Sequence, residues 1–167
     1  MAITKLQAES LNLADDFTFT GTVAGSASNT PAFEILQTTG TSVPTNTWTK
    51  ILYDTTIYDT NNAFSSSRFT VPTGYAGKYL FNYQTSLDGT VNGDFVQNSL
   101  FINGSTYSRA LERRFVSSTY TIFIITTSII NLSEGDYVEH YTYHIAGTTQ
   151  STQPSYIRFS GFKLTGV

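Results

Sequence analysis

The stretch Phe69-Thr70-Val71-Pro72-Thr73-Gly74-Tyr75-Ala76-Gly77-Lys78-Tyr79-Leu80-Phe81-Asn82-Tyr83 decides the architecture. Tyr79, Phe81 and Tyr83 recur at every second position directly after the turn signals Pro72, Gly74 and Gly77. Side chains alternate between faces only in an extended strand, so this is a strand with one aromatic face. Working outward, strand-like runs bounded by turn residues recur from Pro31 onward, at about 32–38, 47–53, 55–60, 66–71, 77–87, 94–102, 105–115, 118–130, 136–145 and 154–164. Many short strands at this spacing are the signature of a sandwich or barrel. Asn92-Gly93 and Asn103-Gly104 supply the positive φ that tight hairpins need, and Glu134-Gly135-Asp136 separates the two most apolar runs.

Within these runs, Ile122-Phe123-Ile124-Ile125 and Ile129-Ile130 form the most apolar segment. Uncharged and of high β-propensity, it would be an aggregation hazard at a sheet edge, and a central, buried strand is expected. Along 136–145, Tyr137, Glu139, Tyr141, Tyr143 and Ile145 fall on one face and Val138, His140, Thr142 and His144 on the other. Both faces are partly polar. An oligomer can bury both, because a tyrosine adds area and keeps a hydroxyl for a partner.

Composition narrows the function. Charged residues make up 13% of the 167 residues and aromatics 14%, whereas about 25% charge is usual. Thr, Ser and Asn must therefore carry the hydrophilicity, which suits strands with polar, uncharged faces. A net charge of −3 and a pI near 5.2 offer no field for phosphate backbones, so nucleic acid is not an expected partner. Arg109, Arg113 and Arg114 enclose Glu112 and read as a solvated, partly paired group. There are no cysteines, hence no disulfide, thiol chemistry or thiolate metal site. Residues 1–10 lack the apolar run of a signal peptide, and no stretch of about 18 apolar residues exists to insert in a bilayer. Folding in the cytoplasm of the producing cell is the expectation.

The chain divides into residues 1–30 and 31–167. In the first part Leu6, Leu11 and Leu13 punctuate a polar run, Phe17 and Phe19 alternate briefly, and Ala24 to Asn29 reads as a flexible linker. Too short to hold a core, this part needs a partner surface or its own copies in an oligomer to become ordered.

Over most of residues 32–167 the sequence resembles the jelly-roll heads of the complement component 1q and tumour necrosis factor family. Asp59, Phe64, Phe69 and Gly77-x-Tyr79-x-Phe81-x-Tyr83 match that family's pattern, with the Phe64 to Phe69 gap two residues shorter and the Phe69 to Gly77 gap two longer than usual. Leu100-x-Ile102-Asn103-Gly104, Ile130-x-Leu132-x-x-Gly135-Asp136-x-Val138 and Phe159-Ser160-Gly161-Phe162-Lys163-Leu164 are similar to its later strands, in the correct order. The resemblance implies an all-β jelly-roll β-sandwich of about ten antiparallel strands that associates as a homotrimer. Tyr79, Phe81, Tyr83, Tyr137, Tyr141 and Tyr143 are the expected trimer-interface residues, with the strand at 136–145 first in line for the axis.

Separately, Leu11 to Val23 resembles N-terminal segments of structural proteins from tailed bacteriophages, particularly those of marine cyanobacteria. That likeness implies attachment to other virion proteins through residues 1–30, with Leu6, Leu11, Leu13, Phe17 and Phe19 as contacts, and a virion location after assembly in the host cytoplasm.

Reaction chemistry finds little support. His140 and His144 lie on one face of a strand about 13 Å apart, too far to share a metal within a subunit, and read as interface or surface histidines; ligation by one histidine from each of three subunits is the remaining metal reading. Asp15 and Asp16 point to opposite sides of an extended chain and make no acid/base pair. Asp88 and Asp94 could hold Ca²⁺ in a loop, although the oxygen count is low; no other cofactor is expected. No Gly-x-Ser-x-Gly elbow is present. Trp48, Tyr53 and Tyr58 sit in Tyr- and Asn-rich loops suited to stacking on a glycan, and the plainer reading of Trp48 is a core or interface residue. The expectation is a non-enzymatic virion surface protein, a tail-fibre or tail-tip component binding the host surface. The alternative is a capsid decoration protein, and a third reading is a carbohydrate-active enzyme, which would need two carboxylates about 5–9.5 Å apart in a cleft.

Overall fold

The computed structural model describes residues 29–90, 95–113 and 120–165. Their strands are β1 (Ala32–Leu36), β2 (Ser42–Val43), β3 (Thr49–Lys50), β4 (Thr55–Asp59), β5 (Phe64–Ser65), β6 (Arg68–Thr70), β7 (Gly77–Thr90), β8 (Phe95–Ile102), β9 (Ser105–Arg113), β10 (Tyr120–Leu132), β11 (Tyr137–His144), β12 (Gln150–Ser151) and β13 (Arg158–Lys163). No helix occurs among the described residues.

One sheet runs β10-β7-β13-β1-β4, the other β5-β6-β11-β8-β9 with β3 also paired to β11, and β12 with β2 forms a two-stranded clip. Every pairing is antiparallel. Apart from the β5–β6 and β8–β9 hairpins and the β2–β12 clip, the chain passes back and forth between the two sheets, and each sheet contributes one face to a common interior. This is the antiparallel jelly-roll sandwich the sequence implies.

The deciding stretch becomes β6, a loop and the first half of β7. Tyr79, Phe81 and Tyr83 are fully buried inside the subunit. They are therefore not available to a trimer interface, and that expectation is corrected: their period-two face meets the opposite sheet of the same chain. Phe33, Phe69, Phe81 and Phe159 interlock there, with Phe33 5.0 Å from Phe69 and 5.1 Å from Phe159 between ring centroids. A second apolar cluster holds Val43, Leu87, Val96, Ile122 and Ile124. Gly161 of β13 lies where a Cβ would come within 2.6 Å of Phe81 Cδ1 and 3.0 Å of Phe33 Cε1.

The family-like motif is structural in each part. The Asp59 carboxylate accepts hydrogen bonds from the backbone N–H groups of Ala63 (3.0 Å) and Phe64 (2.8 Å), fixing the loop that brings Phe64 opposite Phe69. Asn103 (φ 51°) and Gly104 (φ 80°) make the two-residue turn between β8 and β9. Asn103 also accepts from the backbone N–H of Tyr137 at 3.0 Å and donates to Asp136 at 2.8 Å.

Three further expectations change. The 47–53 run is paired only at Thr49–Lys50, and 154–164 becomes a strand only from Arg158. The apolar segment around Ile122 to Ile130 is not a central strand: β10 ends its sheet, with Ile125 67% and Ile129 58% exposed. A strand with apolar residues on both alternating faces needs cover on both, and the subunit supplies it on one.

Candidate functional site

Two outer sheet faces and one buried polar layer hold the residues of interest. On the outer face of the first sheet, register places Ile129, Leu80, Phe162 and Ala32 in one row across β10, β7, β13 and β1. The next row is Thr127, Asn82, Ser160, Glu34 and Tyr58, ending on β4. Asn82 donates to Thr127 Oγ1 at 3.0 Å, and Glu34 is neutralised by Arg158 at 2.7 Å. Beyond it stands Ile125, and then Phe123 with Tyr156 edge-on at 5.5 Å. The face is thus apolar rows around a satisfied polar one, without net charge on these residues.

The outer face of the second sheet carries a run of rings. Phe95 stacks near Tyr143 (5.9 Å), Tyr143 meets Trp48 (5.4 Å), Trp48 meets Phe101 (5.6 Å), and Phe101 stacks on Tyr141 (4.1 Å). All five rings are half-exposed. Lys50, Tyr141, Ser99 and Arg109 occupy one row across β3, β11, β8 and β9. Ser99, although outward-facing, is fully covered. The Arg109 guanidinium lies 5.4 Å from the Trp48 ring centre. At the other end Glu139 accepts from Lys50 (2.8 Å) and Arg68 (2.9 Å), and Arg68 lies 3.8 Å above the Tyr137 ring. Burial pushes the Glu139 carboxyl upward, but the hydrogen bonds and charges of Lys50 and Arg68 outweigh it and hold it low. Tyr141 is pushed up by burial and by the Glu139 charge.

Between the sheets, His140 and His144 are fully buried, so the surface reading of these histidines is corrected. They share the inward face of β11 with Val138 and Thr142. His140 Nδ1 faces the Tyr53 hydroxyl at 2.6 Å, while Nε2 faces Thr85 Oγ1 at 3.1 Å and Asn98 Oδ1. The Asn98 Oδ1 acceptor puts a proton on Nε2, and because burial disfavours the charged ring Nδ1 is left bare to accept from the Tyr53 hydroxyl. Burial lowers the His140 pKa to about 3 and raises that of Tyr53 well above its ordinary value. His144 Nε2 lies 2.8 Å from the Val43 carbonyl, and its Nδ1 accepts from the Ala146 N–H at 3.1 Å. A similar layer joins Gln37, Thr41 and Thr152 through bonds of 2.6–2.7 Å.

The three loop aromatics expected to share a ligand are therefore not together. Trp48 belongs to the outer ring run, the Tyr53 hydroxyl is committed to His140 in the interior, and Tyr58 lies on β4 at the far edge of the other sheet. Tyr137, Tyr141 and Tyr143 do face outward on β11. Leu6, Leu11, Leu13, Phe17, Phe19, Asp15, Asp16 and Asp94 lie outside the described residues. Asp88 is held by Thr121 and Gln153. Most other described carboxylates close turns: Asp54 accepts from Thr38 and Thr39, Glu134 from the Gly74 N–H, and Asp136 from Asn103 and Ser133. Among the described residues no three of His, Asp and Glu converge as metal ligands.

Reading residues singly missed Phe101 and Arg109, which join the ring run only through pairing across β8 and β9, and Ile125 and Ile129, read as buried. Apolar residues on both alternating faces of Ile122 to Ile125, and again at Ile129-Ile130, were the available signal for the latter pair.

This arrangement is a jelly-roll β-sandwich of the complement 1q and tumour necrosis factor type. The globular domain of zebrafish complement 1qA protein superposes with a TM-score of 0.56 at 18% identity, covering 80% of this chain and 97% of that one. Eiger TNF from S. frugiperda gives 0.62 at 13% identity over 81% and 93%. Murine APRIL at pH 5.0 gives 0.57 at 16% identity over 80% and 98%. At these identities the likeness establishes the fold. No protein-family model matches the sequence, and no curated protein is significantly similar to it.

Proposed function

We propose that this chain is a non-enzymatic, homotrimeric binding head of a tailed-bacteriophage virion. Residues 1–30 attach it to other virion proteins, and the head contacts the host surface as a tail-fibre or tail-tip component. The observation that carries the assembly is the exposed face of β10. Ile125 and Ile129 stand 67% and 58% exposed on an edge strand, where burying each such side chain is worth about 1.5–3 kcal/mol. An apolar edge left open invites uncontrolled pairing, and a closed ring of copies covers it. Because the first-sheet face sets apolar rows around a polar one whose Glu34 is already paired with Arg158, we place the threefold contact there. The face of β11 then stays outward, available to a host glycan.

Support for a non-catalytic role is that the described carboxylates are engaged in turns, ion pairs or, for Asp88, hydrogen bonds from Thr121 and Gln153. Support for a virion location is the likeness of Leu11 to Val23 to phage structural segments. The same likeness also fits a second reading, a capsid decoration protein stapled down through that segment. Sedimentation of the purified chain tests the assembly: a mass three times 18.4 kDa is expected, and a stable monomer at micromolar concentration defeats it. Imaging virions that carry a label on this chain separates tail from capsid, and label on neither removes the virion reading.

A further inference from the structure

We infer that the outer ring run of the second sheet binds an acidic saccharide of the uronic acid type, Trp48 and its neighbours stacking on the sugar while Arg109 takes the carboxylate. This rests on the host-glycan reading above and gives it a site and a ligand class.

The first observation is cost. Trp48, Phe101, Tyr141 and Tyr143 form one continuous half-exposed surface on a subunit that buries its other large aromatic cluster completely. Sugars present alternating C–H faces and hydroxyl edges, and half-exposed rings bearing tyrosine hydroxyls complement both. Tyr143 already orients its hydroxyl on Asn46 Oδ1 at 3.2 Å, which places an amide beside the rings.

The second observation is charge. The chain carries −3 overall, yet among the described residues of this face Lys50, Arg68 and Arg109 stand against one carboxylate, that of Glu139. Lys50 and Arg68 are engaged by Glu139. Arg109 is exposed and, among the described residues, has no carboxylate partner; it is held only against the Trp48 ring. A guanidinium beside a stacking ring matches a ligand with one planar carboxylate next to a ring-shaped body. Polyphosphates need several cations in file and would meet the opposing net charge. An acidic peptide supplies the carboxylate without the pyranose face. Three copies in one assembly would present three such sites, multiplying a weak single contact.

Trp48 is the only tryptophan of the chain, so occupancy of this site reads out directly in its fluorescence. The full chain is titrated with trigalacturonate, with its methyl-esterified form, and with triglutamate. A saturable change with trigalacturonate is expected, weakening with added salt, with at least tenfold weaker response to the methyl ester and to the peptide. Arg109→Gln, at an exposed position that does not threaten the fold, should weaken trigalacturonate about tenfold and leave the thermal melt unchanged. Equal response to acid and ester, equal response to triglutamate, an unaffected Arg109→Gln variant, or no response to trigalacturonate each overturn the inference. Sedimentation of the same samples keeps the readings apart: a monomer that still binds trigalacturonate sinks the assembly and spares this site, and a trimer that ignores it does the reverse.

Discussion

His140 shows what a single residue does when a sandwich closes over it. Unfolded, its ring titrates near the ordinary 6.5; folded, burial holds the pKa at about 3. Above pH 6.5 both states are neutral and stability is at its plateau. Below it the unfolded chain takes up a proton the folded one refuses, and stability falls by about 1.4 kcal/mol per pH unit until the folded ring also protonates. Urea unfolding at pH 7.5, 6.0 and 5.0 should show this decline, and His140→Gln should flatten it. Asp54 does not confuse that window. Against an upward push from burial, hydrogen bonds from Thr38 and Thr39 lower its pKa to about 2, so its contribution is lost only as pH falls from 3.8 toward 2. Gly161 sets the opposite limit, on volume. Gly161→Ala drives a methyl into Phe81 and Phe33, and should cost about 1–3 kcal/mol in denaturant titration. Neither role is visible along the chain, because a lone histidine and a strand glycine acquire theirs only from what the facing sheet brings.

At the scale of the element, β10 is the strand whose surroundings the single subunit leaves unfinished. Ile122, Ile124, Ile130 and Leu132 are buried while Phe123, Ile125 and Ile129 face outward. Replacing both Ile125 and Ile129 by Ser should leave subunit stability within about 0.5 kcal/mol, as outward positions do, yet release a monomer of 18.4 kDa in sedimentation. The β8–β9 hairpin makes a separate case. Gly104, at φ 80°, should tolerate Ala at a cost of about 1–2 kcal/mol, read as a lowered unfolding midpoint. Strand existence was legible for most elements, since period-two patterning and Asn103-Gly104 turn chemistry are local. Strand neighbours were not: an apolar run demands two covers, and local pattern does not say whether the second comes from the same chain.

For the whole molecule, assembly and stability are coupled by mass action. If three copies share the β10 face, the melting temperature should rise with protein concentration, and calorimetry over a hundredfold range checks this; an invariant midpoint counts against the assembly. The Ile125→Ser/Ile129→Ser variant should lose that dependence. What the amino-acid order determined by itself was the all-β class, the Asn103-Gly104 turn and the ordered family-like motifs, because each depends on neighbours a few residues apart. The tertiary structure alone decided that Tyr79, Phe81 and Tyr83 serve the subunit's own core, that His140 is neutral and enclosed, and that Trp48, Phe101, Tyr141 and Arg109 meet on one outer face. Period-two alternation assigns side chains to two sides of a strand and is blind to which side becomes the interior. Only the stacking of one sheet on the other breaks that symmetry.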